Sequence, residues 1–523
     1  MAKIYKKPTV LVILDGWGVA PPGPGNPISL AKTPTMTALW NEFPHTLLLA
    51  HGKNVGLPDE QEGNSEAGHM NLSAGWVVKQ DAVYINESIK DGTFFKNTAF
   101  LEALRHAKKY QSKVHVMGLL SNGESAHSSP DHLYAALDLL NQQEIKKVFL
   151  HLFTDGRDSS RFAAIKLLPK LKTHFHNGEK IASIMGRFYA MDRIKRWQRI
   201  EAAYNAMVSG EGVTAESAEA AISSAYNRGE TDEFIIPTII TNDHKPVATV
   251  GDNDVIIFFN LRSDRAREIT KTFVQKDFTE KNPGSFRRKK IPKNIVFAAM
   301  TDFGPDLPNI LTAYPSRTIF SALPAVLREK KQIYIAEEEK YAHVTYFFNG
   351  GNADALYGEE RIKISSPTMP HYEDKPEMNA EKVAAEVRRC VLGGQYDFIA
   401  VNFCNPDMIG HTGDLSAGIR AVEVVDECVG KIIRGVWRKE GTVIITADHG
   451  NIEEMLNYKS GEVDTEHSKN PVPFIVVGPR FKNLKRKILP KGVLANVAPT
   501  VLHVMGITTP REMTKKSLLS KSL

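Results

Sequence analysis

Cysteine is scarce. The 523-residue chain has three, Cys390, Cys404 and Cys428, and no CxxC pair. So sparse and odd a set excludes a disulfide framework and a thiolate metal site, and it fits a reducing compartment. Long apolar runs are also missing. The first one, Val10 to Leu14, stops at Asp15, too short for a signal-peptide core, and no stretch approaches the ~20 apolar residues of a spanning helix. The expectation is a cytoplasmic chain with no membrane partner. Concentrated positive charge is absent as well: a net charge of +6 is a small imbalance between 66 basic and 60 acidic residues. The basic runs 285–293 (SFRRKKIPK) and 480–491 (RFKNLKRKILPK) read as solvated surface, and no nucleic-acid-binding module accompanies them. Internal repeats and low-complexity segments do not occur.

What is present is alternation. Apolar runs of strand length alternate with amphipathic segments of helix length, the pattern of α/β layers around largely parallel sheets. In the middle of the chain the strand-like runs are KVHVMGLL, KKVFLHLF, KIASIM, DVIIFFN and NIVFAAM, with helices over 131–142 and 193–208 between them. Towards the ends they are TVLVILD, HVTYFF, YDFIAVNF, TVIITAD and VPFIVVG. A long helix is predicted over Leu415 to Lys439, capped by Asp414. Joints fall near Val78 to Asp81 and in the turn-rich DFGPDLPN, 302–309. The expected organisation is therefore two α/β domains. A discontinuous outer domain, 1–80 and 310–523, is interrupted by an inserted domain, 81–309.

Several outer runs end in an acidic residue followed by loop signals, giving Asp15, Asp407 with His411, and Asp448 with His449. Ligands of open α/β sheets bind beyond the carboxyl ends of strands, so these side chains are expected on one rim. The spacing of Asp407 and His411 puts both on one helical face, as a two-point metal grip requires. His467, just before the run VPFIVVG, is a further candidate ligand. A lone Asp in such a place is commonly a cap, and a lone His a hydrogen-bonded structural group. Their recurrence at the ends of one sheet favours a metal centre. Carboxylate and imidazole without thiolate suit manganese, zinc, cobalt or magnesium, and a pair of ions would serve phosphoryl transfer. Ser65, in EGNSEAGHMNLSAG, reads either as a helix cap or as the nucleophile such a site needs.

The ordered motifs DGWG, GNSEAGHMN, TDGRD, GRFYAMDRIKRW, NLRSDRAR, AEEEKYAHVTYFFNGG, NPDMIGHTG and TADHGN resemble those of the cofactor-independent phosphoglycerate mutases, within the alkaline phosphatase superfamily. The resemblance spans nearly the whole chain. It implies an alkaline-phosphatase-like outer domain interrupted by an α/β transferase domain, and an enzyme of glycolysis and gluconeogenesis interconverting 3-phosphoglycerate and 2-phosphoglycerate through a phosphoserine. Ser65 would carry the phosphoryl group. One metal ion would be held by Asp407, His411 and His467, the other by Asp15, Ser65, Asp448 and His449. Manganese is the implied metal, with no need for 2,3-bisphosphoglycerate. Arg157, Arg187, Arg193, Arg262 and Arg265 lie after apolar runs of the middle segment, where guanidinium forks suit a substrate bearing phosphate and carboxylate. The resemblance adds His127, Asp158 as acid/base and Lys340 as a charge-neutralising group. It also implies a monomer acting on a small molecule. Two departures stand out: SNGESAHSS is a residue longer than the family's SDGGVHSH, and Ser159–Ser160 replaces a site where proline is frequent.

Overall fold

The computed structural model describes residues 7–519 except 124, 177, 305, 308, 318, 368, 370, 458–460, 483 and 485–487. Parts of the segments 121–129, 302–309 and 480–491 singled out above therefore lie outside the described residues. The chain divides into two compact units, Met1–Gln80 with Arg317–Leu523, and Asp81–Ser316.

Among the described residues the first unit has an eight-stranded sheet in the order Glu360–Ile364, Gln332–Glu337, Phe398–Phe403, Thr9–Leu14, Thr442–Thr446, Val472–Val477, His45–Leu49, Gly492–Val493. The central strand Thr9–Leu14 pairs in parallel with Phe398–Phe403 on one side and Thr442–Thr446 on the other. All of its residues are buried, as befits a parallel strand covered on both faces. Val472–Val477 runs antiparallel to its neighbour, so its amino end lies at the rim where the parallel strands end. The long helix spans Leu415–Trp437, and Asp414 caps it by accepting the N–H of Ala417 at 2.8 Å.

The second unit is built on a sheet ordered Ile310–Tyr314, Val296–Thr301, Val255–Phe258, Val114–Leu120, Val148–Thr154, Lys180–Gly186, Thr238–Asn242, Val213–Ala215. It is parallel except where Thr238–Asn242 meets Lys180–Gly186 and the short Lys245–Pro246. Separate apolar clusters pack against its two faces.

Several local expectations are corrected. HVTYFF is not a strand. It forms a π-helical turn, His343–Phe347, in which Phe348 N–H donates to His343 O at 3.0 Å. Its β-branched and aromatic residues imitate a strand, but Val344 and Phe348 are buried while Tyr346 is exposed, the periodicity of a coil of helix. The strand there is Gln332–Glu337. The helix expected from Arg193 begins at Trp197, because the Asp192 carboxylate binds the N–H groups of Ile194 and Arg196 and holds 192–196 as a turn. Ile310–Tyr314 pairs with Val296–Thr301 and belongs to the second unit, so the break follows this strand rather than the turn-rich stretch before it.

Candidate active site

In the first unit the carboxyl ends of four parallel strands deliver polar groups to one rim. Asp15 follows Thr9–Leu14, and Gly16 beside it adopts φ +73°. A Cβ there would stand 2.7 Å from Asp407 Cα, so only glycine allows the two loops to touch. Asp407 lies on the short helix Asn405–Gly410, closed by His411. Asp448 and His449 follow Thr442–Thr446, and Lys340 follows Gln332–Glu337. His467 enters from the loop before the antiparallel strand Val472–Val477.

Ser65 opens the helix Ser65–Ala74 without capping it. The cap is Asn64, whose Oδ1 accepts the N–H of Ala67 at 2.9 Å. The serine hydroxyl is thereby released from local duty. Its Oγ lies 2.6 Å from Lys340 Nζ, 3.0 Å from His449 Nε2 and 3.3 Å from Asp15 Oδ1, all buried. Lys340 Nζ also lies 2.6 Å from Asp407 Oδ2 and 2.7 Å from Asp15 Oδ1.

Among the described residues two groups have the make-up to hold metal ions: Asp407, His411 and His467, and Asp15, Asp448 and His449. The hydrogen bonds decide whether the first fits a cation. His411 Nδ1 faces Thr465 O at 2.8 Å, and His467 Nδ1 faces Gly63 O at 2.8 Å. With Nδ1 donating in both rings, a tautomer assigned from these bonds, the two Nε2 lone pairs point at each other across 3.1 Å. Both also approach Asp407 Oδ1, at 3.4 and 3.2 Å. Three acceptors aimed at one point repel unless a cation sits among them, which is the donor geometry of a metal site. His449 repeats the pattern: Nδ1 faces Gly450 O, and Nε2 faces Ser65 and Asp15.

The electrostatics agree. Burial and the neighbouring Asp448 push Asp15 up to about 6, against the pull of Lys340. Burial also opposes the charge on Asp407, but the ammonium of Lys340 beside it outweighs burial and holds this carboxyl well below the usual range. Burial pushes His449 down to about 4, leaving a neutral ring able to ligate.

In the second unit Arg187 is buried, and its Nη1 donates to Asp155 Oδ1 at 2.5 Å and Asp158 Oδ2 at 2.7 Å. Ser125 Oγ also donates to Asp158 Oδ2, at 2.6 Å. Asp264 gathers Arg193 at 3.1 Å and Arg262 at 3.7 Å. His127 Nδ1 is 3.9 Å from the same carboxylate, and burial pushes this histidine down to about 4. A cavity of about 270 Å³ is lined by Arg157, Arg187, Arg193, Arg199 and Arg265, among others. Each arginine named from the sequence thus lies beside or near this cavity, except that Arg262 is joined to it through Asp264. Lys340 belongs to the first unit, beside Ser65.

Sequence reasoning missed Ser125, Asp155, Asp264 and Arg199 here, and His69, Asn402 and Asn451 in the first unit. His69 Nδ1 lies 3.2 Å from Asp448 Oδ2, Asn402 Nδ2 donates to Asp15 Oδ2 at 2.6 Å, and Asn451 Nδ2 donates to Asp407 Oδ1 at 2.9 Å. Most of these stand inside or beside motifs already noted, yet their role is to orient other side chains, which residue type alone does not reveal.

Comparison with known proteins adds the family. Residues 85–305 match the model of the BPG-independent PGAM N-terminus, and residues 303–498 that of type I phosphodiesterase / nucleotide pyrophosphatase. The 2,3-bisphosphoglycerate-independent phosphoglycerate mutase of Clostridioides difficile is 46% identical over 523 residues, covering 99% of this chain and 100% of that protein. The corresponding protein of Clostridium novyi is 45% identical over 517 residues, 98% of this chain and 99% of its own. The chain belongs to the 2,3-bisphosphoglycerate-independent phosphoglycerate mutase family. It is therefore an isomerase acting on phosphoglycerate, with the two-domain α/β architecture of an alkaline-phosphatase-like unit and a transferase-like one. A crystal structure of Leishmania mexicana phosphoglycerate mutase at low cobalt concentration is similar over 99% of this chain and 98% of that one, with a TM-score of 0.74 and 30% identity. No helix among the described residues is long and apolar enough to cross a membrane.

Proposed function

We propose that Ser65 carries the phosphoryl group between the two hydroxyls of glycerate, interconverting 3-phosphoglycerate and 2-phosphoglycerate without 2,3-bisphosphoglycerate. The observation that carries this reading is the surroundings of Ser65 Oγ: a buried hydroxyl with the Lys340 ammonium at 2.6 Å and His449 and Asp15 close by, while Asn64 does the capping. A serine hydroxyl is a weak nucleophile at neutral pH, and neighbouring positive charge makes its alkoxide accessible.

In the forward half-reaction Ser65 Oγ, its hydroxyl proton already given up to solvent, forms a bond to phosphorus as the bond between phosphorus and one glycerate oxygen breaks. That oxygen takes a proton. In the second half the other hydroxyl gives up its proton, attacks phosphorus and releases Ser65. We assign the proton movements to Asp158, whose carboxylate is oriented by Ser125 and Arg187. Arg157, Arg187, Arg193, Arg262 and Arg265, with His127, hold the carboxylate and phosphate of the substrate. Lys340 neutralises the transferring group.

Asp407, His411 and His467 would hold one divalent ion, and Asp15, Ser65, Asp448 and His449 a second, with manganese the proposed metal. Two such ions, when bound, would supply Lewis acidity at the reacting oxygens. The inserted unit, 81–316, is the proposed substrate-binding part, and 1–80 with 317–523 the metal-binding part. A monomer is the proposed working unit, and a glycolytic substrate supports a cytoplasmic enzyme.

The test is phosphorus NMR of the protein with 3-phosphoglycerate and manganese and no added bisphosphoglycerate, followed by mass spectrometry after acid quench. 2-Phosphoglycerate and a phosphoryl group on Ser65 are expected. Release of inorganic phosphate alone, or a label on another residue, would overturn the scheme.

A further inference from the structure

Glu453 is almost completely buried and has no part in the chemistry above. Its two oxygens receive four donors. Oε2 accepts the N–H of Gly18 at 2.8 Å and of Asn451 at 3.0 Å. Oε1 accepts the Ser468 hydroxyl and Asn470 Nδ2, the latter at 3.1 Å. Four donors and no acceptor around one carboxyl is the pattern of an ionised carboxylate.

These donors sit on three different loops. Gly18 belongs to the loop that begins with Asp15, Asn451 to the loop that begins with Asp448 and His449, and Ser468 is the neighbour of His467. The packing is closed around the carboxylate: a Cβ on Gly18 would stand 2.2 Å from Glu453 Cδ, and one on Gly450 would stand 2.4 Å from Oε1. From Asn451 the connection continues, since its side chain donates to Asp407 Oδ1 at 2.9 Å. Loops that bear metal ligands must hold them to within a few tenths of an ångström, and groups behind the ligands commonly set affinity by about ten- to a hundredfold.

We infer that Glu453 is a positioning residue that ties together both ligand clusters, so that one buried carboxylate governs the affinity of the protein for two ions. The inference rests on the metal-binding reading of those clusters.

The experiment uses the full chain, stripped by chelator and reloaded with cobalt(II). Binding is followed by calorimetry and by the visible absorption of the cobalt, and thermal unfolding is measured in chelator. Two ions are expected for the unmodified protein. Glu453→Ala should weaken both by about tenfold or more and alter the cobalt spectrum. Glu453→Gln is isosteric. Its carbonyl can still accept from Gly18 and Asn451, but its amide then faces the amide of Asn470, so the loss should fall mainly on the ion of Asp407, His411 and His467. If Glu453→Ala does not fold, Glu453→Gln carries the test. Wild-type affinities and spectrum in the variants, with only a lowered unfolding temperature, would overturn the inference and leave Glu453 a structural group. Failure of the unmodified protein to take up two ions would overturn the metal reading itself, and that outcome needs no variant to detect.

Discussion

The ammonium of Lys340 lies 2.6 Å from the hydroxyl of Ser65, and the same nitrogen contacts Asp407 and Asp15 at 2.6 and 2.7 Å. One buried cation therefore serves the proposed nucleophile and two proposed metal ligands at once. Burial opposes its charge, yet Asp15 and Asp407 more than compensate and raise its pKa above the ordinary lysine value.

Replacing that cation should expose the cost of the carboxylates. Lys340→Met leaves Asp15 and Asp407 buried without it, and breaking a buried ion pair by removing one partner costs about 3–5 kcal/mol. The loss should be large in chelator and much smaller with manganese, which supplies positive charge to the same groups. Denaturant unfolding under the two conditions decides it. Equal destabilisation with and without metal would refute a shared electrostatic role.

Ser65→Ala should abolish mutase activity while leaving the fold in place. A lost cap costs about 1 kcal/mol, but here the cap is Asn64, so the unfolding temperature should hardly move. Turnover above a few per cent of wild type would rule out a phosphoserine route.

Asp158 is a place where pH and rate should be linked. Burial raises its pKa, but the hydroxyl of Ser125 and the guanidinium of Arg187 outweigh burial and lower it. Ser125→Ala removes a donor that favours the carboxylate, so the acidic limb of the kcat/KM profile should move to higher pH. Ser125→Thr should restore it. An acidic limb that stays put in Ser125→Ala would remove Ser125 from the role assigned to it.

The second unit should lose stability on mild acidification. His115 Nε2 donates to Asp254 Oδ2 at 3.2 Å, His151 Nε2 to His115 Nδ1 at 2.9 Å, and His151 Nδ1 accepts the Ser183 hydroxyl at 2.8 Å, in the tautomers this chain of bonds selects. Burial lowers the pKa of both rings, Asp254 opposing it at His115 and the neighbouring His115 adding to it at His151. Below about pH 6.5, the unfolded value, the unfolded chain binds more protons than the folded one. Stability is thus complete above that pH and falls as pH drops, by up to about 1.4 kcal/mol per pH unit for each ring. Unfolding curves from pH 7 to 5 should show this slope, and His151→Gln should flatten it. An unchanged slope in the variant would assign the effect elsewhere.

Much of this arrangement is legible in the sequence because strand ends are. TVLVILD, YDFIAVNF and TVIITAD are apolar until the sheet stops, so the polar residues that follow, Asp15, Asp407 and Asp448, had to meet at one rim once the strands were parallel neighbours. His467 was legible for a different reason, as a polar group just before an apolar run. Where pattern misled, it was through composition: HVTYFF has the residues of a strand and the contacts of a π-helical turn. Glu453 was invisible for a third reason. In IEEM it looks like any solvated glutamate, and what fixes it is Gly18, 435 residues away along the chain. The choice between Asn64 and Ser65 as cap was likewise undecidable from composition, since both residue types cap helices; it turns on one hydrogen bond.

The position of Thr9–Leu14 at the centre of its sheet has a consequence for biosynthesis. Thr9 pairs with Phe398 and with Thr442, so the first strand made is completed only by some of the last. At about 5–20 residues per second, roughly 20–80 s separate their emergence from a ribosome. Throughout that time the segment TVLVIL has neither sheet neighbour, and its unpaired edges are open to other chains. The strands between Val114 and Tyr314 have all their sheet partners within the second unit and can pair during the same interval. The insert can therefore pair its strands before its host can, and binding to a chaperone in that window would act on the strand Thr9–Leu14.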